Sequence, residues 1–280
     1  MAVTVPPARG APALTLKVHV GCEFHFNTDA PSASVLQVQP HPGVPCLSLT
    51  ESWESRPGVP LREYVDAFGN RCQRLVIPGG PLVLRYDALV EVSSDPDPVR
   101  VDAEQVAPED LPNDTLQFLL PSRYCLPDKL GGAAADNFGH LEPGWMQVQA
   151  ICHWVHEHVA YAIGSTDYMS DATDAYLQRR GVCRDYAHLA ISFCRALNYP
   201  ARYACGYIPL MGRPLPDEGM DFAAWMEVYI GGEWYTFDAR NDARLAGRVV
   251  IGRGRDAVDV AMLTSDGAPR LESMTVWADA

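Results

Sequence analysis

Apolar and polar residues alternate with period two over two long stretches in the first third of the chain. Leu14, Leu16, Val18 and Val20 alternate with Thr15, Lys17 and His19. Leu82, Leu84, Tyr86, Ala88, Val90 and Val92 alternate with a more polar set. A period of two over such lengths predicts strands with one face buried. Proline and glycine clusters at 40–45 and 78–81 punctuate these runs, and Asp66-Ala-Phe-Gly-Asn70 has the chemistry of a turn. Residues 1–13 read as a flexible leader. Residues 14–105 read as an antiparallel β domain, a sandwich or barrel.

Residues 106–144 are rich in Pro and Gly and read as a linker with a helical patch at 113–120. From Trp145 the period changes. Val148, Ile151, Cys152, Val155 and Val159 fall on one face of a helix. Residues 171–180 predict a shorter helix stopped by Gly181. A third begins at about Cys183, with Tyr186, Leu189, Ala190, Phe193 and Leu197 as its apolar stripe, and ends at Asn198-Tyr-Pro200. Strands follow at 201–208, 224–230 and 233–238, with one or two more within 248–277. The fold class is therefore α+β: an antiparallel β domain, then residues 145–280 as a core in which a helix packs on an antiparallel sheet.

Charge narrows the partners. With 22 basic and 35 acidic residues the formal charge is −13. That disfavours nucleic acid, whose binding rests on phosphate neutralisation, and also an anionic membrane surface. The first dozen residues lack the apolar stretch of a secretory signal, so a cytoplasmic location is the expectation. The eight cysteines contain no CxxC pair and are expected to be reduced.

One of these thiols sits where chemistry could use it. In Gly181-Val-Cys-Arg-Asp-Tyr-Ala-His-Leu189, Cys183 falls in the first turn of a predicted helix. Free N–H groups and the helix dipole there lower a thiol's pKa and can stabilise an oxyanion. Arg184 adds positive charge. A second piece runs from Asp221 to Asp238 and reads as two strands joined at Gly231-Gly232, a strong hairpin signal. If Ile230 pairs with Glu233, Trp225 falls opposite Asp238, and position 223 becomes a diagonal neighbour of 238 on the same face.

These segments resemble the motifs of bacterial transglutaminase-like superfamily proteins. The run around Cys183 is similar to the nucleophile motif. Asp221-Phe-Ala-Ala-Trp225 resembles the motif whose third residue is the catalytic histidine, and Trp234-Tyr-Thr-Phe-Asp238 the one carrying the triad aspartate. The tail at 252–261 and the preceding β half also fit, so the resemblance covers nearly the whole chain. It implies a papain-like core, Cys183 as nucleophile, Asp238 as orienting carboxylate, and acyl transfer from an amide or ester through a Cys183 thioester. Water as acceptor would make the protein an amidase or protease; an amine would make it a transamidase. No cofactor is implied. No calcium loop is evident in the sequence.

The departure is at position 223, where the family's histidine is replaced by Ala223. Without that partner the thiol is expected to return towards its ordinary pKa of about 8.5. Loss of a triad member costs on the order of 10⁴ in turnover, so this chain is expected to be nearly inactive. An isolated His-to-Ala substitution fits better than a natural pseudoenzyme, because the rest of the motif is intact. The reading from another class is a dead core that still holds a peptide or acyl ligand.

Other candidates carry less. His153 and His156 share a helix face but lack the spacing of a zinc-binding motif, and His158 is turned away, so no metal site is expected. His188 is five residues past Cys183 and poorly placed as its base. Ser165 and Thr166 are candidate liners of the acyl pocket, Trp225 a candidate wall, and Asp185–Arg240 a candidate supporting ion pair. Oligomeric state is not legible.

Overall fold

The computed structural model describes residues 15–42, 46–212, 215 and 219–280. The expected leader at 1–13 lies outside them. The first half builds six strands: β1 (Thr15–Thr28), β2 (Ser32–Leu36), β3 (Cys46–Arg56), β4 (Arg62–Val65), β5 (Arg71–Ile77) and β6 (Gly80–Ser93). The alternation read from sequence appears directly as burial. Val18, Val20, Phe24 and Phe26 of β1 and Leu82, Leu84 and Tyr86 of β6 are buried, and the two strands pair from Thr15↔Ser93 to Thr28↔Gly80. The turn at Asp66 is held by its carboxylate, which accepts from the N–H groups of Phe68 and Asn70, both at 2.8 Å.

The second half begins with α1 (Pro127–Phe138) and α2 (Trp145–His158). It continues through β7 (Ala160–Tyr161), α3 (Ala172–Gln178), β8 (Arg180–Gly181), α4 (Cys183–Ala196), β9 (Ala201–Tyr207), β10 (Ala223–Ile230), β11 (Glu233–Phe237) and β12 (Val249–Gly254), and closes with β13 (Leu263–Ser265) and β14 (Arg270–Asp279). The helices at 145, 171 and 183 stand where their periodicity put them. The linker reading of 106–144 needs correction. It contains α1, whose Leu130, Ala134 and Phe138 are buried in the helical core, with Phe138 edge-on to Phe193 of α4 at 5.3 Å. Gly131 and Gly132 lower the intrinsic propensity of this segment, so tertiary packing makes the helix. The patch at 113–120 holds only a single 3₁₀ turn, Leu116–Phe118.

Three four-stranded sheets result: β14-β1-β6-β3, β13-β2-β5-β4 and β11-β10-β9-β12. The first two face each other over a core that includes Val20, Phe24, Leu36, Ile77 and Leu84. α4 packs on one face of the third, against Tyr203, Ala224, Met226 and Val228. It is buried through most of its length, as a helix at the centre of a core must be.

The division at residue 145 does not hold for the chain's last strands. β14 pairs with β1, in register from His19↔Asp279, and β13 pairs with β2. Both complete the sheets of the first half. The two halves also share a core, because Tyr207, Val249 and Ile251 of the third sheet belong to the sandwich cluster. The Tyr207 hydroxyl donates to the Val38 carbonyl at 3.0 Å. This seam sets the residues after β2 beside the third sheet.

Candidate active site

Cys183 is the first residue of α4. The turn that presents it is built around Asp185, whose side chain is 1% exposed. Its Oδ2 accepts from the Val182 N–H at 2.8 Å and from the Thr166 hydroxyl at 2.7 Å. The carboxylate reaches back to the helix start, so one orphan N–H of the first turn is satisfied. Arg184 pairs with Asp185 at 3.2 Å and also donates to the Asp167 carbonyl at 2.7 Å. The expected Asp185–Arg240 pair is not formed: the Arg240 guanidinium lies over the Tyr161 ring at 4.2 Å. Gly181 has a role other than a turn. A Cβ there would come within 2.6 Å of Asp185 Cβ, so the missing side chain makes room for the cap.

The hairpin forms in the register read from sequence, from Ile230↔Glu233 to Met226↔Phe237. Gly231 and Gly232 have φ of 60° and 88°, as a tight two-residue turn requires. Pairing with β11 stops at Phe237, which leaves the start of β10 open on that edge. The tip of α4 sits at this open edge. The Cys183 thiol lies 3.8 Å from the Phe222 carbonyl oxygen, and the N–H groups of Ala224 and Arg184 point at the sulfur.

Burial pushes the Cys183 thiol up to about 11, and the nearby Asp221 carboxylate pushes the same way; Arg240 and the two N–H groups oppose them without winning. This corrects the expectation of a return to about 8.5. Desolvation disfavours the thiolate, and the helix terminus alone does not compensate.

Cys183, Arg184, Thr166 and Ala223 all line one cavity of about 490 Å³. Other candidates stand elsewhere. Trp225 does not wall the cavity; it is 1% exposed and packs with Ala204 and Val250. Ser165 donates to the Ala162 carbonyl and is not among the cavity residues. Asp238 is not among the cavity residues; its carboxylate accepts from the Asn241 N–H at 3.0 Å, the Asn241 amide at 2.8 Å and Arg248 Nη2 at 2.8 Å. Sequence reasoning missed Arg248, which also bonds Asp97 at 3.0 Å and lies over the Trp225 ring at 4.7 Å. Asp97 is remote in sequence, and no local pattern announces the pair.

The histidines separate cleanly. His153 pairs with Asp242 at 2.8 Å, and His156 meets the Arg240 carbonyl at 2.9 Å. Among the described residues no cluster of His, Cys, Asp and Glu could hold a metal. His188 is fully buried, stacks on Tyr124 at 5.1 Å, and its Nε2 accepts from the Ala257 N–H at 3.2 Å. Burial drives its pKa well below the usual imidazole range. Cys22, Cys72, Cys125, Cys152, Cys183, Cys194 and Cys205 are free, and no helix among the described residues is long and apolar enough to cross a membrane.

The family model of the Transglutaminase-like superfamily matches residues 133–239, which span Cys183, Ala223 and Asp238. An uncharacterized protein of Mycobacterium tuberculosis is 30% identical over 220 residues, 71% of this chain and 69% of the relative. The chain belongs to the transglutaminase-like superfamily.

A crystal structure named "Putative Cysteine Protease", from Cytophaga hutchinsonii, superposes on this transglutaminase-like chain with a TM-score of 0.86. It is 34% identical, with 95% of this chain and 91% of that one covered. An uncharacterized protein of Mycobacterium leprae is 35% identical over 122 residues, which span 41% of this chain and 42% of that relative. The mixed architecture, with antiparallel sheets, a helical core and a β region before it, is thus that of the superfamily.

Proposed function

We propose that the cavity is an acyl-transfer site in which Cys183 attacks an amide or ester carbonyl and forms a thioester, as the C–N or C–O bond breaks and the amine or alcohol departs with the thiol's proton. The observation that carries this reading is the placement of the thiol. It stands at the first turn of a buried helix, at the open edge of β10, in one cavity with Ala223. The N–H groups of Arg184 and Ala224 that point at the sulfur are the donors a developing oxyanion beside it could use. Cysteine nucleophiles need a base held by a third group, and position 223 is where the family motif has histidine. Asp238 supports that assignment. Three bonds occupy its carboxylate out of about four acceptor directions, so one remains for an imidazole N–H.

With alanine at 223 nothing takes the proton from a thiol whose pKa is about 11. The chain as it stands is nearly inert, and the intact motif around Ala223 favours an isolated substitution. Water as acceptor makes the restored protein an amidase or protease; an amine makes it a transamidase. The decisive experiment is Ala223→His, followed by intact mass spectrometry with amide and ester donors. A thioester on Cys183, with turnover raised on the order of 10³-fold or more, is the expected result. A restored protein that stays unacylated across donors, yet binds them, would establish the second reading: an acyl-binding module.

A further inference from the structure

Gln37 follows β2 in the first half of the chain, yet it lines the same cavity as Cys183. Its backbone N–H donates to the Met262 carbonyl at 3.0 Å, which fixes it at the seam between the halves. The residue is 5% exposed, and its side-chain Nε2 is buried without a hydrogen-bond partner. Buried amides are nearly always paired, so an unpaired one on a residue that lines a cavity calls for a ligand group. Gly252 leaves room for the amide, since a Cβ there would lie 2.3 Å from Nε2.

The sheet register measures how far this amide is from the thiol. Gly252 pairs with Cys205 across β12 and β9, and Cys205 pairs with Ala224 across β9 and β10. The three residues form a row on one face. Gln37 stands over one end, and Cys183 meets the Ala224 N–H at the other. Two strand spacings are about 10 Å. Ile251, Val260 and Met262 give the cavity apolar walls, and its charged liners are Arg184 and Asp221.

We propose that Gln37 is a specificity residue: its amide donates to a second, neutral carbonyl group on the acyl donor, separated by an apolar stem from the carbonyl presented to Cys183. This rests on reading the cavity as the acyl site. A carboxylate in place of that carbonyl would be buried without a cation beside it, which is costly. The acyl donor is therefore a compound with two carbonyl groups, such as a diamide or a peptide segment.

The test is binding, which needs neither base nor turnover. The chain is titrated by NMR with α,ω-diamides of four to ten carbons, with the matching monoamides, and with the half-acids. One diamide length is expected to bind at least about five-fold tighter than its monoamide, with the half-acid no tighter than the monoamide. Gln37→Leu and Gln37→Met, each close in volume, abolish that preference. Equal binding of diamides and monoamides at every length overturns the proposal, as does a preference that survives either variant, or no binding at all. Failure of the acyl-transfer reading is separable. A diamide preference in a protein whose Ala223→His variant forms no thioester leaves Gln37 standing and removes the catalysis; a thioester without the preference does the reverse.

Discussion

The Cys183 thiol and the Phe222 carbonyl oxygen stand 3.8 Å apart, joining the tip of α4 to the residue just before Ala223. The contact sets the sulfur against backbone, while its acidity follows mainly from burial, with the Asp221 carboxylate adding to it. With a pKa near 11, only about one thiol in a thousand is ionised at pH 8. Alkylation by iodoacetamide follows the thiolate. The rate at Cys183 is therefore expected to rise about tenfold per pH unit from pH 7 to 10 and to level only near pH 11. Timed quenching and peptide mass spectrometry read this directly. A plateau below pH 9 would show that the thiol is not desolvated in solution.

The cap on α4 gives a second prediction. Asp185→Ala strips the Val182 N–H and the Thr166 hydroxyl of their shared acceptor and leaves Arg184 without its carboxylate. A loss of about 2–4 kcal/mol in urea unfolding is expected. Thr166→Val removes one donor and should cost about 1 kcal/mol. Equal, small effects from both variants would mean that the carboxylate does not hold the helix start.

Acid sensitivity follows from Glu227 on β10. Burial alone raises its carboxyl, but the guanidiniums of Arg202 and Arg253, bonded at 2.6 and 2.7 Å, more than reverse that and hold it at about 2. A carboxyl with a depressed folded pKa contributes stability above its unfolded value and loses it as pH falls through the folded one. The loss is expected between about pH 4.5 and 2, on the order of 3 kcal/mol. Glu227→Gln should lower stability at pH 7 by about 3–5 kcal/mol, because two buried cations lose their partner, and should flatten the acid limb in that window. Urea titrations at stepped pH test both parts; an unchanged acid limb in Glu227→Gln would assign it to other groups.

Local pattern carried the sequence reading where structure is made locally. The stripe from Tyr186 to Phe193 gave α4, and Gly231-Gly232 gave the hairpin register from Ile230↔Glu233 to Met226↔Phe237. The acidity of Cys183 is not legible in its own motif, because desolvation depends on what covers a group, and residues some forty positions away, such as Phe222, reach the thiol only in the fold. α1 was hidden for the opposite reason, its weak propensity overruled by a core that sequence does not display. Gln37 and Arg248 were invisible alike. Gln37 owes its place to strands that meet across the seam, and Arg248 to the carboxylates of Asp97 and Asp238; an isolated Gln or Arg in a loop carries no signal of such a meeting.

The pairing of β14 with β1 bears on how the chain comes into being. Phe24 faces Met274 in the ladder, so during synthesis β1 waits for a neighbour made about 250 residues later. At typical elongation rates of about 5–20 residues per second, one edge of β1 stands open for on the order of ten seconds or more. Such an edge invites pairing with the wrong chain. Residues of β14 are thus the clasp of the sandwich, and the newborn protein is most exposed to self-association before that clasp arrives.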